Sequence, residues 1–167
     1  GKVSVESLIK LLEKYCHLNV QILVSVMMAN NEIGTIEPIK ELVAITHEYG
    51  GFFHTDAVQA LGHITVDVHD LDVDFLSASS HKFNGPKGIG FLFVKKGSPI
   101  KPFISGGYQE QGNRAGTENV AQIVGLGKAC QIAERNLQQY EEKLRNLRDY
   151  CLQQMKDKNF EFHINGT

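Results

Sequence analysis

The sequence has 167 residues, 42% hydrophobic and 22% charged, which suits one globular domain with a sizeable core. Its 17 basic and 19 acidic side chains give a net charge of -2, which offers no basic field for nucleic acid or a membrane surface. No apolar run approaches the ~20 residues that cross a bilayer. The cysteines form no CxxC pair, so neither a zinc site nor a disulfide framework is indicated, and we expect a reducing, cytoplasmic setting.

Alternating helical and strand patterns predict an α/β fold with a mainly parallel sheet flanked by helices. A helix is expected over 5–15, with Ser4 as its N-cap, and a second helix after Pro38 that ends at Gly50-Gly51. The apolar run 21–28 is typical of a strand buried on both faces. Shorter strands are predicted at 52–56, 74–78 and 90–94.

The last third of the chain reads as a Gly-rich loop (106–116) followed by one long helix from about Thr117 to Lys156. A helix of ~40 residues would be about 60 Å long, so we expect it to connect two bodies; a coiled-coil seam is the alternative. Cys130 and Cys151 fall on its apolar stripe and are expected to pack there. The ending FEFHINGT predicts the start of a further strand, and the sequence is interpreted as a central fragment.

Three polar clusters follow predicted strands, where ligands bind in parallel α/β sheets. They are ANNEIG (29–34), HTDAVQ (54–59) and SSHKFNGPKG (79–88). Taken singly, each could be a turn or a helix cap. The glycines of GPKGIG are a weak signal, because they precede a strand and not a helix.

The combination of the clusters is more informative. A lysine among hydroxyl and imidazole donors, near a carboxylate, suits Schiff-base chemistry with an aldehyde cofactor. The carboxylate can hold a proton on a pyridine nitrogen, and Ser and His can donate to a phosphate.

These motifs, together with GGYQEQGNRAGTEN (106–119), resemble the successive motifs of class V aminotransferase-like enzymes that use pyridoxal 5'-phosphate (PLP). The likeness covers essentially the whole chain and is greatest to the cysteine desulfurases, with selenocysteine lyase next. It implies the large domain of a fold type I PLP-dependent transferase. The implied domains are 1–116 for part of the PLP-binding domain, 117–157 for a connecting helix and 158–167 for the start of a small domain.

The resemblance also implies the site. Lys82 would form the Schiff base and act as a general base, while Asp56 would pair with the pyridinium nitrogen. The other implied cofactor-binding residues are Asn31 and Gln59 near the phenolic oxygen, Ser79 and His81 at the phosphate, and Thr117 reaching the phosphate of a partner subunit. Arg114 is expected to order its loop, and His54 is a further neighbour of Asp56.

By the same resemblance, L-cysteine would be converted to L-alanine, with its sulfur passed to a cysteine of the enzyme as a persulfide and then to acceptor proteins such as those of iron–sulfur assembly. None of Cys16, Cys130 and Cys151 matches the family's catalytic cysteine, so this fragment is expected to be inactive alone. A homodimer is expected, because Thr117 would serve a neighbouring site.

Three alternatives stay open from the sequence. The enzyme could be a selenocysteine lyase or another class V enzyme. The chain could be a non-catalytic interaction module that keeps the fold. It could also be a phosphate-binding enzyme without PLP that uses Lys87 and its glycines.

Overall fold

The computed structural model describes residues 1–164 and confirms the α/β fold. One four-stranded sheet has its strands in chain order: β1 (Leu23–Met27), β2 (Phe52–Asp56), β3 (Phe75–Ser79) and β4 (Gly90–Val94). Strands β1, β2 and β3 are parallel, and β4 runs antiparallel to β3. The sheet is therefore mainly parallel, with one antiparallel edge.

Four α-helices accompany the sheet: α1 (Val5–Tyr15), α2 (Ile39–Glu48), α3 (Val68–Leu71) and α4 (Val120–Asp157). As predicted, Ser4 caps α1, where its Oγ accepts from the backbone N–H of Ser7 at 3.2 Å. Pro38 precedes the first residue of α2, and Gly50 follows its end with a φ of 73°. Local signals in the sequence thus mark the start of α1 and the two ends of α2.

The sheet has two unlike faces. On the helix face, the strand side chains pack against α1, α2 and α3 around Phe53 and Leu76, which are at most 1% exposed. The remaining strand side chains point to the opposite face of the sheet, away from that core, and we call this face the open face. The strand residues of the open face are Leu23, Ser25, Met27, Phe52, His54, Asp56, Phe75, Ser77, Ser79, Gly90, Leu92 and Val94.

Strand β1 departs from the prediction that it is buried on both faces. Within residues 1–164, β1 has a neighbouring strand only on its β2 side, and Leu23 on the open face is 59% exposed. An apolar run alone does not say whether a strand is central or lies at an edge.

Helix α4 is the long helix that the periodicity predicted, and it begins at Val120. Its 38 residues make it about 57 Å long. Its first half packs on the segment after β3, whereas Leu147 and Tyr150 farther along are exposed. Cys151 is exposed, so its predicted packing role is wrong; Cys130 is half-buried, and burial raises the pKa of its thiol.

The strand predicted near the chain's end is not found in its described part, since residues 160–164 have no regular secondary structure. Residues 165–167 lie outside the described residues. Within residues 1–164, the helices are too short or too polar for any of them to cross a membrane.

A single buried carboxylate joins the edge of the sheet where β2 and β3 begin. Asp74 is 6% exposed, and its Oδ2 accepts from the backbone N–H of Phe53 and from Nε2 of His47, both at 2.8 Å. Its Oδ1 accepts from the hydroxyl of Ser98 at 3.2 Å. Asp74 thus connects the end of α2, the start of β2 and the turn after β4.

We predict that Asp74→Ala lowers the free energy of unfolding by about 3 kcal/mol, because one buried and two half-buried donors lose their acceptor. Asp74→Asn, which keeps one acceptor oxygen, should cost about half as much. Urea unfolding measures both. The control is Asp70→Asn, which removes an exposed pair with Lys40 and should change stability by less than about 1 kcal/mol. Equal losses in all three variants would contradict this role.

Candidate functional site

The polar clusters lie at one edge of the sheet, which we call the carboxyl edge: the segments after β1, β2 and β3. Met27 pairs with Asp56 in the register, and Asp56 pairs with Ser77. The three parallel strands therefore reach the same edge of the sheet, where β3 runs two residues farther, to Ser79. The antiparallel strand β4 begins at this edge, because Gly90 pairs with Ser79.

The segment after β1 is a tight turn built by Asn30. Its Oδ1 accepts from the backbone N–H groups of Glu32 and Ile33 at 2.9 and 3.0 Å. These two hydrogen bonds to the side chain of Asn30 fix the backbone of the turn, and the side-chain amide of the next residue, Asn31, takes no part in them. Asn31 is exposed at this turn, which leaves its side chain available to a ligand.

Asp56 is the last residue of β2 and is half-buried. Its Oδ1 accepts from the backbone N–H of Val58 at 2.8 Å, which fixes the carboxylate at the strand end. Oδ2 makes no hydrogen bond within the part of the chain that the structure describes. Gln59 follows in the same turn and is half-buried.

Ser79 and His81 form a hydrogen-bonded pair after β3, with Ser79 Oγ 2.9 Å from His81 Nδ1. When the hydroxyl donates to Nδ1, the neutral ring carries its proton on Nε2. When Nδ1 donates instead, the hydroxyl proton of Ser79 is free. In either tautomer the pair offers a donor outward, which is the requirement for binding an anion.

Lys82 is exposed because of the turn that carries it. Residues Ser80–Phe83 form a 3₁₀ turn, in which residues three apart share a side. Ser80 and Phe83, its first and last residues, are 0% and 4% exposed. The two residues between them, His81 and Lys82, are therefore turned outward at the carboxyl edge.

Glycines allow this 3₁₀ turn to pack closely against the neighbouring segments. A Cβ on Gly62 would come within 2.5 Å of the Phe83 Cβ. A Cβ on Gly85 would lie 2.0 Å from Ser80 Oγ and 3.0 Å from the Ala129 Cβ of α4. The lysine is thus held by a close-packed contact with α4 and not by hydrogen bonds of its own.

Thr117 lies outside this group. It is exposed in the loop before α4, and it makes no hydrogen bond to the carboxyl edge within residues 1–164. In the same loop, Arg114 donates to the carbonyl of Gly116 at 3.3 Å, in agreement with a loop-ordering role. Gln109 accepts from the Gly116 N–H at 3.1 Å.

The sequence reasoning missed a polar row on the open face. His54 Nδ1 lies 2.8 Å from Ser25 Oγ, and its Nε2 lies 3.2 Å from Ser77 Oγ. The available signal was a serine at the middle position of each of the strands LVSVM and FLSAS, on the same face of the sheet as His54.

The donor set at the carboxyl edge fits PLP. Asp56 presents a fixed carboxylate with one free oxygen, which suits a protonated ring nitrogen. The Ser79–His81 pair offers a donor for a phosphate, and Lys82 supplies an exposed amine for an aldehyde. These groups have the chemistry that each part of the cofactor requires.

Comparisons with known proteins agree with this chemistry. The family Aminotransferase class-V matches residues 2–165. The chain is 54% identical over 145 residues to a protein named cysteine desulfurase IscS from Dictyoglomus turgidum, covering 87% of this chain and 37% of that protein. It is 51% identical over 166 residues to the protein of the same name from Clostridium botulinum (strain Hall), covering 99% of this chain and 41% of the relative.

A solved structure is also similar. A NifS-like protein from Rickettsia africae superposes with a TM-score of 0.88 at 37% identity, over 94% of this chain and 43% of that one. The chain thus spans about two fifths of the length of the proteins that it resembles.

We predict that Gly85→Ala destabilises the lysine turn by about 1 to 3 kcal/mol, because the new methyl overlaps Ser80 Oγ. The double variant Gly85→Ala, Ser80→Gly should recover part of that loss. The control Gly127→Ala adds a methyl to α4 where no atom lies within 4 Å, and should not destabilise. Denaturant unfolding of wild type, Gly85→Ala, Ser80→Gly and the double variant measures the coupling, with Gly127→Ala as the separate control; additive effects of the two substitutions would contradict the packing described.

Proposed function

The chain belongs to the class V aminotransferase family, and we propose that the protein that carries it is a PLP-dependent cysteine desulfurase. It would act on L-cysteine and release L-alanine, with the sulfur passed to a cysteine thiolate of the enzyme. The names of its relatives support this activity, as does the donor set of the carboxyl edge.

One observation carries the proposal: three parallel strands reach the same edge of the sheet with an amide, a carboxylate and a lysine among hydroxyl and imidazole donors. These are Asn31, Asp56 and Lys82. A non-catalytic module has no physical need for such a set at a single edge. The cofactor-free alternative based on Lys87 would leave Asp56 without a role.

The role of Asp56 follows from its hydrogen bonding. The N–H of Val58 fixes Oδ1, so Oδ2 would hold the proton of the ring nitrogen of PLP. Gln59, three residues on, would donate to the phenolic oxygen, and Asn31 would lie near that oxygen and the substrate carboxylate. A fixed carboxylate is favourable because it needs no reorganisation during the reaction.

Ser79 and His81 would bind the phosphate through the outward donor of their pair. Thr117 would bind the phosphate in a partner subunit, and a homodimer is therefore part of the proposal.

Lys82 would attach to the cofactor aldehyde through Nζ. Once substrate displaces it, the amine would move a proton to and from the substrate Cα. The 3₁₀ turn supports both roles, because it exposes the lysine while Ser80 and Phe83 stay buried. When bound, PLP supplies an electron sink that stabilises negative charge at the substrate Cα.

We place the sulfur-accepting thiolate outside Cys16, Cys130 and Cys151. None of the three matches the position of the family's catalytic cysteine: Cys16 follows α1, and Cys130 and Cys151 lie within α4. Sulfur-acceptor proteins as partners and a cytoplasmic location complete the proposal. Its domain division is 1–116 for part of the PLP-binding domain, 117–157 for the connecting helix and 158–167 for the start of a small domain.

The first test is covalent labelling with PLP and borohydride, followed by peptide mapping. We expect pyridoxyl-lysine at Lys82 alone, and no label in Lys82→Arg. The control is Lys87→Arg, which changes an exposed lysine farther along the same loop and should keep the label. The longest natural protein that carries this sequence should be used. Label absent there, or scattered over several lysines, would refute the PLP proposal.

A second variant separates attachment from chemistry. Asp56→Asn should keep the label on Lys82 and lower kcat/KM for alanine release from L-cysteine by about 10² to 10³-fold, since the charge that holds the ring proton is gone. Asp70→Asn, an exposed change of the same kind, serves as the control. Wild-type activity in Asp56→Asn would rule out the role of Asp56.

A further inference from the structure

His54 is the central member of the polar row on the open face. It is bonded on both sides: Nδ1 to Ser25 of β1 at 2.8 Å and Nε2 to Ser77 of β3 at 3.2 Å. The row crosses three strands and fixes the imidazole plane. Ser77 is also the register partner of Asp56, which lies two residues beyond His54 on β2.

The surroundings of His54 favour the neutral ring. Burial lowers the pKa of His54, and the charge of Asp56 opposes this only in part. The groups that face it from β1 and β3 are hydroxyls, which satisfy both ring nitrogens without contributing a charge. Of the strand residues on the open face, Asp56 is the only carboxylate, and none is Lys or Arg.

We propose that His54 is a positioning residue: a neutral imidazole, held by Ser25 and Ser77, that leaves the carboxylate of Asp56 free to hold the ring proton of PLP. This inference rests on the proposed function. The proposed role of Asp56 concerns its bond to the ring nitrogen, whereas this inference concerns the absence of charge on the neighbouring side chain of His54. A charged side chain at position 54 would pair with Asp56 and compete with the ring cation.

The size of the effect follows from the strand geometry. Two residues along a strand correspond to about 7 Å. A positive charge at that distance, at an effective dielectric constant of about 20, would lower the pKa of the ring nitrogen by between about one and two units.

The experiment compares His54→Lys with His54→Gln in the longest natural protein that carries this chain. Lysine adds a charge, whereas glutamine stays neutral and can still bond to both hydroxyls. The readout is the ¹⁵N chemical shift of ring-labelled PLP against pH, which reports directly whether the ring nitrogen keeps its proton. In the cofactor-free wild type, the Cε1–H resonance of His54 gives its titration midpoint.

We expect wild type and His54→Gln to keep the ring proton over the same pH range. His54→Lys should lose it at a pH lower by between about one and two units. We also expect a titration midpoint for wild-type His54 below the ordinary histidine value. Identical ¹⁵N profiles for the two variants, or an ordinary midpoint, would overturn the inference.

A second pair covers the case in which His54→Lys does not fold. Ser25 is exposed within residues 1–164 and bonds to Nδ1 of His54, so Ser25→Lys and Ser25→Gln make the same charged and neutral comparison from the neighbouring strand. Ser25→Lys should shift the ring titration in the same direction by a smaller amount, and an unchanged titration overturns the inference. If PLP binds normally and the Lys and Gln variants give the same ring titration, the inference about His54 fails while the proposed function stands. A wild type that binds no PLP sinks the proposed function and, with it, this inference.

Discussion

The fold depends on one buried carboxylate. Asp74 accepts hydrogen bonds from the end of α2, the start of β2 and the turn after β4, so it sets where two neighbouring strands begin. Strand β3 begins two residues farther along than β2, because Phe75 pairs with His54, and the same stagger places Ser77 opposite Asp56 at the other edge. The hydrogen bonds of Asp74 at one edge of the sheet therefore hold the register on which the arrangement of the proposed cofactor-binding residues at the carboxyl edge depends.

The two faces of the sheet also differ: one carries the apolar core, and the other carries the polar row and Asp56. Its helix face carries the apolar core around Phe53 and Leu76, where polar groups would be costly. Its open face carries a hydroxyl–imidazole row and the single carboxylate of Asp56, in surroundings that are half exposed. This division is possible because successive side chains of a strand point to opposite faces of the sheet, so that an apolar residue can follow a polar one.

Local signals made much of the structure predictable from the sequence. The strands Phe52–Asp56 and Gly90–Val94 and the helix Val5–Tyr15 with its Ser4 cap follow from runs of a few residues. The candidate site followed from polar clusters at strand ends and from the family resemblance. The exposure of Leu23, the three bonds of Asp74 and the partners of His54 could not be predicted. Each depends on residues 21 or more positions away, and sequence periodicity carries no information about such pairs.

The antiparallel direction of β4 has a consequence for how the molecule assembles. β3 and β4 form a hairpin whose connection contains Lys82, so the lysine segment arises from contacts that are close along the chain. Asp56 joins Ser77 through a parallel pairing that requires a crossover, and such long-range contacts form slowly. The segment that carries Lys82 and the pairing that places Asp56 therefore depend on two different kinds of strand connection, a hairpin and a parallel crossover. Both connections must form before the proposed cofactor-binding residues lie at one edge of the sheet.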